Sequence, residues 1–171
     1  MRKIMIDTGM TRRVNCRGVE PDTVELIGSA LSRELDARGC ETMTSCGVPD
    51  PDEGFGRPSR CADVARRWGA DCLLRLYVRA AADPCAGSVD AMVYRRKSRS
   101  GDLAQQILTS LSREAGMRDG GIRSATGVVL LRRTPCPCVI LILRLPYRDK
   151  EFPTDASVRR YALALADGLM G

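Results

Sequence analysis

The most informative feature of the sequence is that it contains no histidine among its 171 residues. Histidine is the commonest general base in enzymes and a frequent ligand of catalytic metals. Its absence excludes serine–histidine and cysteine–histidine nucleophilic pairs, together with every metal site that needs an imidazole ligand. Any chemistry of this chain must therefore use carboxylates, thiols, hydroxyls or cationic side chains.

Aromatic residues and lysine are also scarce. The chain has one Trp, four Tyr and two Phe, so we expect a core of Leu, Val, Ile and Ala side chains. Lys3, Lys97 and Lys150 are the only lysines, and the formal net charge of +6 comes almost wholly from arginine. Such a basic excess suits an anionic partner, although it is more commonly a solvated surface that keeps a protein soluble.

Long apolar runs are missing too. The longest run, Val139 to Leu143, has the length of a buried strand and falls far short of the ~20 residues that cross a membrane. A signal peptide is not expected, since only Ile4 to Ile6 is apolar before Asp7. We therefore expect a protein that is cytoplasmic as it stands, or one that reaches the cell wall by another export route.

The eight cysteines show no Cys-x-x-Cys spacing of the kind that holds structural zinc. A chain of this length can bury an adequate core and does not depend on a disulfide framework. We predict reduced thiols. Cys40 and Cys72, at the starts of predicted strands, and Cys138 are expected to act as small buried apolar residues.

Apolar periodicity predicts strands that alternate with helices along the whole chain. This pattern indicates one α/β domain, residues 1–171, with a central, mostly parallel sheet of about six strands and helices on both faces. We expect Ile4–Ile6, Leu73–Tyr77 and Val139–Leu143 at the centre of the sheet, because an all-apolar strand must be covered on both faces. The predicted strands are 3–7, 40–45, 71–78, 87–95, 128–131 and 137–145. The predicted helices are 23–38, 59–68, 98–115 and 155–170, with a turn at 120–121.

The order of these segments resembles the zinc-dependent N-acetylmuramoyl-L-alanine amidases, which cut the bond between muramic acid and the stem peptide of peptidoglycan. Ile4 to Met10 resembles the family's first strand and its Asp-Pro-Gly-His, and Glu20 lies 19 residues before Gly39, as at the family's first helix. Ala65 to Asp71 resembles Ala-Asn-x-x-Gly-Ala-Asp, and Leu130 to Leu143 resembles Leu-Arg-x-Thr…Pro-x-x-Leu-x-Glu. The resemblance covers nearly the whole chain and implies the amidase fold.

The resemblance also implies a site. The family holds zinc with a His after the first strand, a Glu at the first helix and a His at the end of the third strand, and a second Glu acts as general base and acid. The corresponding residues here are Met10, Glu20, Tyr77 and Ile142. A thioether is a poor zinc ligand, a phenol with a pKa near ~10 rarely replaces imidazole, and isoleucine cannot transfer a proton. Only Glu20 is retained, so we expect no intact catalytic residue and no zinc.

If this assignment holds, Met10, Glu20 and Tyr77 converge on one point with Ile142 at its rim. Four arginines lie toward the carboxyl ends of two predicted strands, where ligands bind in open α/β sheets. Guanidinium groups bind carboxylates and phosphates, so we predict that these arginines bind substrate. They are Arg75, Arg79, Arg144 and Arg148. The alternative is that they extend into solvent or pair with nearby carboxylates, namely Asp71, Asp149 and Glu151.

The leading hypothesis is a catalytically impaired, amidase-like protein that binds peptidoglycan or a muropeptide. Two alternatives stay open. One is an active cell-wall hydrolase with a displaced metal site built from Glu20 and cysteines such as Cys16. The other is a non-catalytic interaction module that uses the basic surface. Nucleic acid is not an expected partner, because the basic stretches Arg95–Arg99 and Arg132–Arg133 lack interleaved aromatics. The sequence does not determine the oligomeric state.

Overall fold

The computed structural model of the chain describes residues 1–9, 20–44, 58–83, 86–146 and 154–171, without the side chains of 20–22 and 58–59. Within these residues the chain forms six strands and five helices. In chain order they are β1 (Lys3–Asp7), α1 (Glu20–Ala37), β2 (Glu41–Thr44), α2 (Pro58–Trp68), β3 (Cys72–Ala80), β4 (Ser88–Val93), α3 (Arg99–Ala115), β5 (Arg118–Ser124), α4 (Val129–Arg133), β6 (Cys138–Leu145) and α5 (Asp155–Met170).

All six strands belong to one sheet with the order β2-β1-β3-β6-β4-β5. Every neighbouring pair is parallel except β4 and β6, which are antiparallel. Strands β3 and β6 lie at the centre, with Leu74 opposite Val139 and Val78 opposite Leu143. The predicted mostly parallel sheet, with the Val139–Leu143 run at its centre, is confirmed.

The sheet is covered on both faces because its central strands are apolar on both sides. Along β6, Val139, Leu141 and Leu143 enter the larger core, which also contains buried side chains of α1, α3 and α5. Cys138 and Ile140 point the other way, into a smaller core with side chains of α2 and α4. Each fully buried aliphatic side chain contributes roughly 1.5–3 kcal/mol, so the fold rests mainly on these two cores.

Local signals in the sequence set the ends of the helices. Gly39 and Gly69 follow α1 and α2 with φ of 80° and 72°, the left-handed conformation that glycine adopts most easily. At the other end, the Ser98 hydroxyl accepts a hydrogen bond from Gly101 N at 3.3 Å, and Thr154 caps α5 in the same way. The predicted helix boundaries at these four residues are confirmed to within one residue.

The predicted turn at Gly120-Gly121 is wrong, because both glycines lie inside β5. The register of β4 against β5 shifts between Val89 and Ala91, so the glycines form a bulge opposite Asp90. A β-carbon at position 120 would overlap the Asp90 carboxylate. The bulge therefore makes room for the Asp90 side chain. This requirement for space explains why two glycines occur here although the chain does not turn back.

The predicted strand at 128–131 is also wrong, because Val129–Arg133 forms the short helix α4. A four-residue apolar run does not distinguish a strand from a turn of buried helix. Here Leu130 and Leu131 are buried in the smaller core, and Arg66 of α2 donates to the carbonyl of Arg133 at 3.2 Å. Packing against α2 therefore decides the conformation of this segment.

Five cysteines fall within the described residues, and all five are free thiols. Cys40, Cys72 and Cys138 are buried apolar residues, as predicted. Burial raises the pKa of the Cys72 and Cys138 thiols to about 12, so both are protonated at neutral pH. Cys16, Cys46 and Cys85 lie outside the described residues. Among the helices of the described ranges, none has the length and apolar composition needed to cross a membrane.

Candidate functional site

Three side chains lie side by side across the sheet where β3 and β6 approach their carboxyl ends. Tyr77 pairs in register with Ile142, and Ile142 pairs in turn with Asp90 of β4. Residues in register on neighbouring strands point to the same face of a sheet. Tyr77 packs against the smaller core, so the row lies on the face that α2 and α4 cover. The structure therefore makes Tyr77 and Ile142 direct neighbours.

Met10 lies outside the described residues, and the side chain of Glu20 is not described, although the backbone of Glu20 begins α1. The convergence of Met10, Glu20 and Tyr77 stays a prediction. Arg148 also lies outside the described residues.

The groups at Tyr77 and Ile142 do not fit the zinc site that the resemblance implies. One is a half-buried phenol and the other is a half-buried aliphatic side chain, and neither supplies a nitrogen, thiolate or carboxylate ligand. Within the described part of the chain, no three His, Cys, Asp or Glu side chains are grouped so that they could hold a metal ion.

Arg75 is one of the four predicted substrate-binding arginines, and it is buried. Only 6% of Arg75 and 1% of Asp7 are exposed. The two residues lie in register on β3 and β1, Arg75 Nε donates to Asp7 Oδ2 at 2.6 Å, and Arg75 Nη2 forms an ion pair with the same oxygen. Burial is the largest single influence and lowers the pKa of Arg75, but the charge of Asp7, the groups of Tyr77 and Cys61 and the hydrogen bond to Asp7 together outweigh it, so the pKa is raised. The guanidinium is therefore a permanent buried cation.

Arg144 is partly exposed and forms an ion pair with Asp90 through Nη1. Arg123 of β5 approaches the same carboxylate at 3.9 Å. Arg79 pairs in register with Arg144 and is exposed. The Asp90 carboxylate thus faces the guanidinium groups of Arg144 and Arg123, and Arg79 lies beside Arg144 on the neighbouring strand. These three cations around one carboxylate leave a local excess of positive charge at this end of the sheet.

Of the three predicted alternative partners of the arginines, only Asp71 lies within the described residues. Asp71 accepts a hydrogen bond from the backbone N–H of Lys3 at 2.7 Å, and Asp149 and Glu151 lie outside the described residues. Sequence reasoning did not identify Asp7 and Asp90. Asp7 ends the first predicted strand, and Asp90 alternates with Val89 and Ala91 in the fourth, so each carboxylate was visible as a strand residue. The pairing of Asp7 with Arg75 and of Asp90 with Arg144 was not visible in the sequence, because it depends on the order of strands in the sheet.

Comparisons with known proteins agree on the fold. No family model matches the sequence, and no curated protein matches it. The catalytic domain of CwlV, an N-acetylmuramoyl-L-alanine amidase from Bacillus (Paenibacillus) polymyxa var. colistinus, superposes with a TM-score of 0.74 at 18% identity, covering 99% of this chain and 97% of that one. The N-acetylmuramoyl-L-alanine amidase of Clostridium difficile 630 gives 0.77 at 19% identity, covering 99% and 95%.

A third solved structure is the CwlD amidase of Clostridioides difficile in complex with the GerS lipoprotein. It superposes with a TM-score of 0.77 at 13% identity, and the match covers 99% of this chain and 97% of that one. All three matches extend over nearly the whole of both chains. The chain therefore has the fold of the N-acetylmuramoyl-L-alanine amidases, as the resemblance implied.

Proposed function

We propose that this chain is a non-catalytic protein of the amidase fold that binds peptidoglycan fragments and does not cleave them. The observation that supports this proposal most directly is the pair Tyr77–Ile142, in register at the end of the two central strands. The resemblance assigns a zinc-binding His and the general-base Glu to these two positions. A phenol and an aliphatic side chain supply neither the metal nor the proton transfer that amide hydrolysis uses.

Binding is favoured by the positive charge next to Tyr77 and Ile142. Arg79 and Arg144 lie in register on adjacent strands, whose backbones are about 4.8 Å apart. Two guanidinium groups at that spacing can bind one carboxylate or two neighbouring ones. The stem peptide of peptidoglycan is acidic and is the part of the substrate that amidases release. We propose that Arg79 and Arg144, with Arg148 three residues beyond β6, bind its carboxylates. Arg75 is buried on the same strand as Arg79 and adds positive charge near the bound ligand without contacting it.

Tyr77 completes the proposed site. It is half-buried and lies two residues before Arg79 on the same face of β3. Its ring offers an apolar surface and its hydroxyl offers one hydrogen bond. This combination suits a sugar or peptide backbone next to an anchored carboxylate.

A protein partner is the second candidate. One of the solved neighbours, CwlD, is in complex with a lipoprotein, and the basic surface of this chain would suit an acidic protein. The active-hydrolase alternative needs a displaced metal site built from Glu20 and Cys16, whose side chains are not described.

Binding to purified sacculi and to a fluorescently labelled muropeptide tests the proposal. We expect the wild type to bind and Arg79→Gln to weaken the affinity for the muropeptide about tenfold, the effect of losing one charge-assisted hydrogen bond. Arg113→Gln is the matched control, because Arg113 is an exposed arginine on α3, on the opposite face of the sheet.

Hydrolysis is measured in the same samples. We expect no release of stem peptide by the wild type, with or without added zinc, and no zinc in the purified protein by elemental analysis. Release of peptide together with stoichiometric zinc would establish the active-hydrolase alternative. Failure to bind either sacculi or muropeptide would overturn the proposed binding function in favour of the protein partner.

A further inference from the structure

We propose that the Arg75 guanidinium is the built-in cation of this site, held by Asp7 and Cys61 so that the domain needs no metal ion and excludes divalent metals. The Asp7–Arg75–Cys61 cluster does not depend on which ligand binds at Arg79 and Arg144. The fold implies zinc, whereas Tyr77 and Ile142 do not supply the groups that zinc chemistry needs.

The donors that surround Arg75 are the kinds of group that bind metals. Asp7 Oδ2 accepts from Arg75 Nε at 2.6 Å, and the Cys61 Sγ of α2 lies 3.6 Å from Arg75 Nη2. A carboxylate and a thiol are ordinary zinc ligands when they are ionised and free to coordinate. Here both face a guanidinium that is almost completely buried. The space between β1, β3 and α2 is therefore already filled by a cation.

The thiol does not add a second negative charge. The pKa of the Cys61 thiol is raised to about 11, mainly by burial. The negative charge of Asp7 also raises this pKa, and its effect is larger than the opposite effect of the positive charge of Arg75. At neutral pH the three groups are a carboxylate, a guanidinium and a protonated thiol, so the cluster is neutral as a whole. The single carboxylate is fully engaged by Arg75 and by the backbone N–H of Gly9, which donates to its other oxygen at 2.9 Å.

The position of Arg75 relates this cluster to the candidate site. Arg75 and Tyr77 are two residues apart on the same face of β3, so their α-carbons lie about 7 Å apart at ~3.3 Å per residue. Arg79 and Arg144 lie one further step along the two central strands. A divalent metal ion next to Tyr77 would therefore lie among guanidinium groups and be repelled, because the nearest carboxylate, Asp7, is already paired with Arg75. An anion at the same place would be attracted.

Metal binding by Arg75 variants tests the inference, with Cd²⁺ as the probe because thiolate–Cd²⁺ bonds give an ultraviolet charge-transfer band. We expect Arg75→Ala to gain one equivalent of Cd²⁺ binding over the wild type, since Asp7 and the Cys61 thiol then line an empty space. Arg75→Ala with Cys61→Ser should lose that added equivalent. The comparison with Cys61→Ser alone removes the contribution of the other cysteines.

A second variant covers the case in which Arg75→Ala does not fold. Arg75→Gln keeps a polar side chain but removes the positive charge and the outer part of the guanidinium, so Asp7 and Cys61 face an uncharged gap; we expect Cd²⁺-dependent stabilisation of several degrees in Tm that the wild type lacks. The wild type should have the same Tm in the presence of a chelator and in the presence of Zn²⁺. A chelator-sensitive Tm for the wild type would overturn the inference, and so would folded Arg75 variants that gain no metal binding.

Discussion

At the scale of single residues, two carboxylate–guanidinium pairs join neighbouring strands at the candidate site. Asp7–Arg75 joins β1 to β3 and is buried, whereas Asp90–Arg144 joins β4 to β6 and is partly exposed. A buried pair gains little net stability over apolar side chains of the same size, but losing one partner leaves an unpaired charge in the interior. The two pairs are therefore expected to differ strongly in their sensitivity to mutation.

A double-mutant cycle on Asp7 and Arg75 measures this effect. We expect Asp7→Asn and Arg75→Met each to lower the free energy of unfolding by about 3–5 kcal/mol. Asn keeps an acceptor for the Gly9 N–H, so the loss in Asp7→Asn isolates the missing charge. The double variant should lose less than the sum by about 2 kcal/mol or more. Urea unfolding gives these values, and additive losses would show that the pair is not coupled.

At the scale of elements, the helices on the larger core approach one another closely. Helices α3 and α5 pack where Gly168 faces the backbone of Ile107. Position 168 has no side chain, which permits the two backbones to come together in the same way that small residues do in other helix pairs. The apolar periodicity of α3 and α5 predicted each helix, while the identity of its neighbour depended on the fold.

Gly168→Ala tests this close approach. Its β-carbon would lie 2.6 Å from Ile107 Cα and 3.1 Å from Ile107 N, so the helices must separate. We expect a loss of about 1–3 kcal/mol from overpacking, partly offset by the ~1 kcal/mol advantage of Ala in a helix. At Gly127, an added β-carbon meets no atom within 4 Å, so Gly127→Ala should stay within about 0.5 kcal/mol of the wild type. Thermal unfolding compares them; equal stabilities would refute the packing argument.

At the scale of the whole molecule, four thiols with raised pKa values link stability to pH. Burial is the main cause in every case, and it raises the pKa from 9.0 to about 11 for Cys61 and Cys136 and to about 12 for Cys72 and Cys138. In the unfolded chain these thiols ionise near pH 9. The contribution of the protonated thiols to the free energy of unfolding is therefore fully present below about pH 9. It is lost as the pH rises through the pKa values of the thiols in the folded protein.

Urea unfolding between about pH 8 and about pH 11, in reducing buffer, measures this loss. Wherever a thiol is ionised only in the unfolded chain, it contributes a slope of about 1.4 kcal/mol per pH unit. We expect a steep fall in the free energy of unfolding above about pH 9. In Cys72→Ala the slope of the free energy of unfolding against pH should decrease by the contribution of one thiol. The free energy lost because the smaller side chain leaves a cavity does not change with pH, so it does not affect the slope. An unchanged slope in that variant would exclude Cys72 as a contributor.

Most of the helices and strands, and the lack of any imidazole, could be predicted from the sequence. Helices and strands followed from apolar periodicity, glycine at helix ends and serine or threonine at helix starts, all of which act within a few residues. The absence of histidine needed no structure, because a missing ligand type is a property of composition, and the assignment of Tyr77 and Ile142 to the site came from the resemblance. The amidase fold followed from the order of the segments.

The pairing of charges and the conformation of one apolar segment could not be predicted from the sequence. Asp7 and Arg75 lie 68 residues apart in the chain, and their pairing requires β1 and β3 to be neighbours in one register. The bulge at Gly120 and Gly121 exists because Asp90 needs space in the adjacent strand, and α4 is helical because Leu130 and Leu131 pack beneath α2. These outcomes depend on contacts between distant segments, and local propensity cannot specify them.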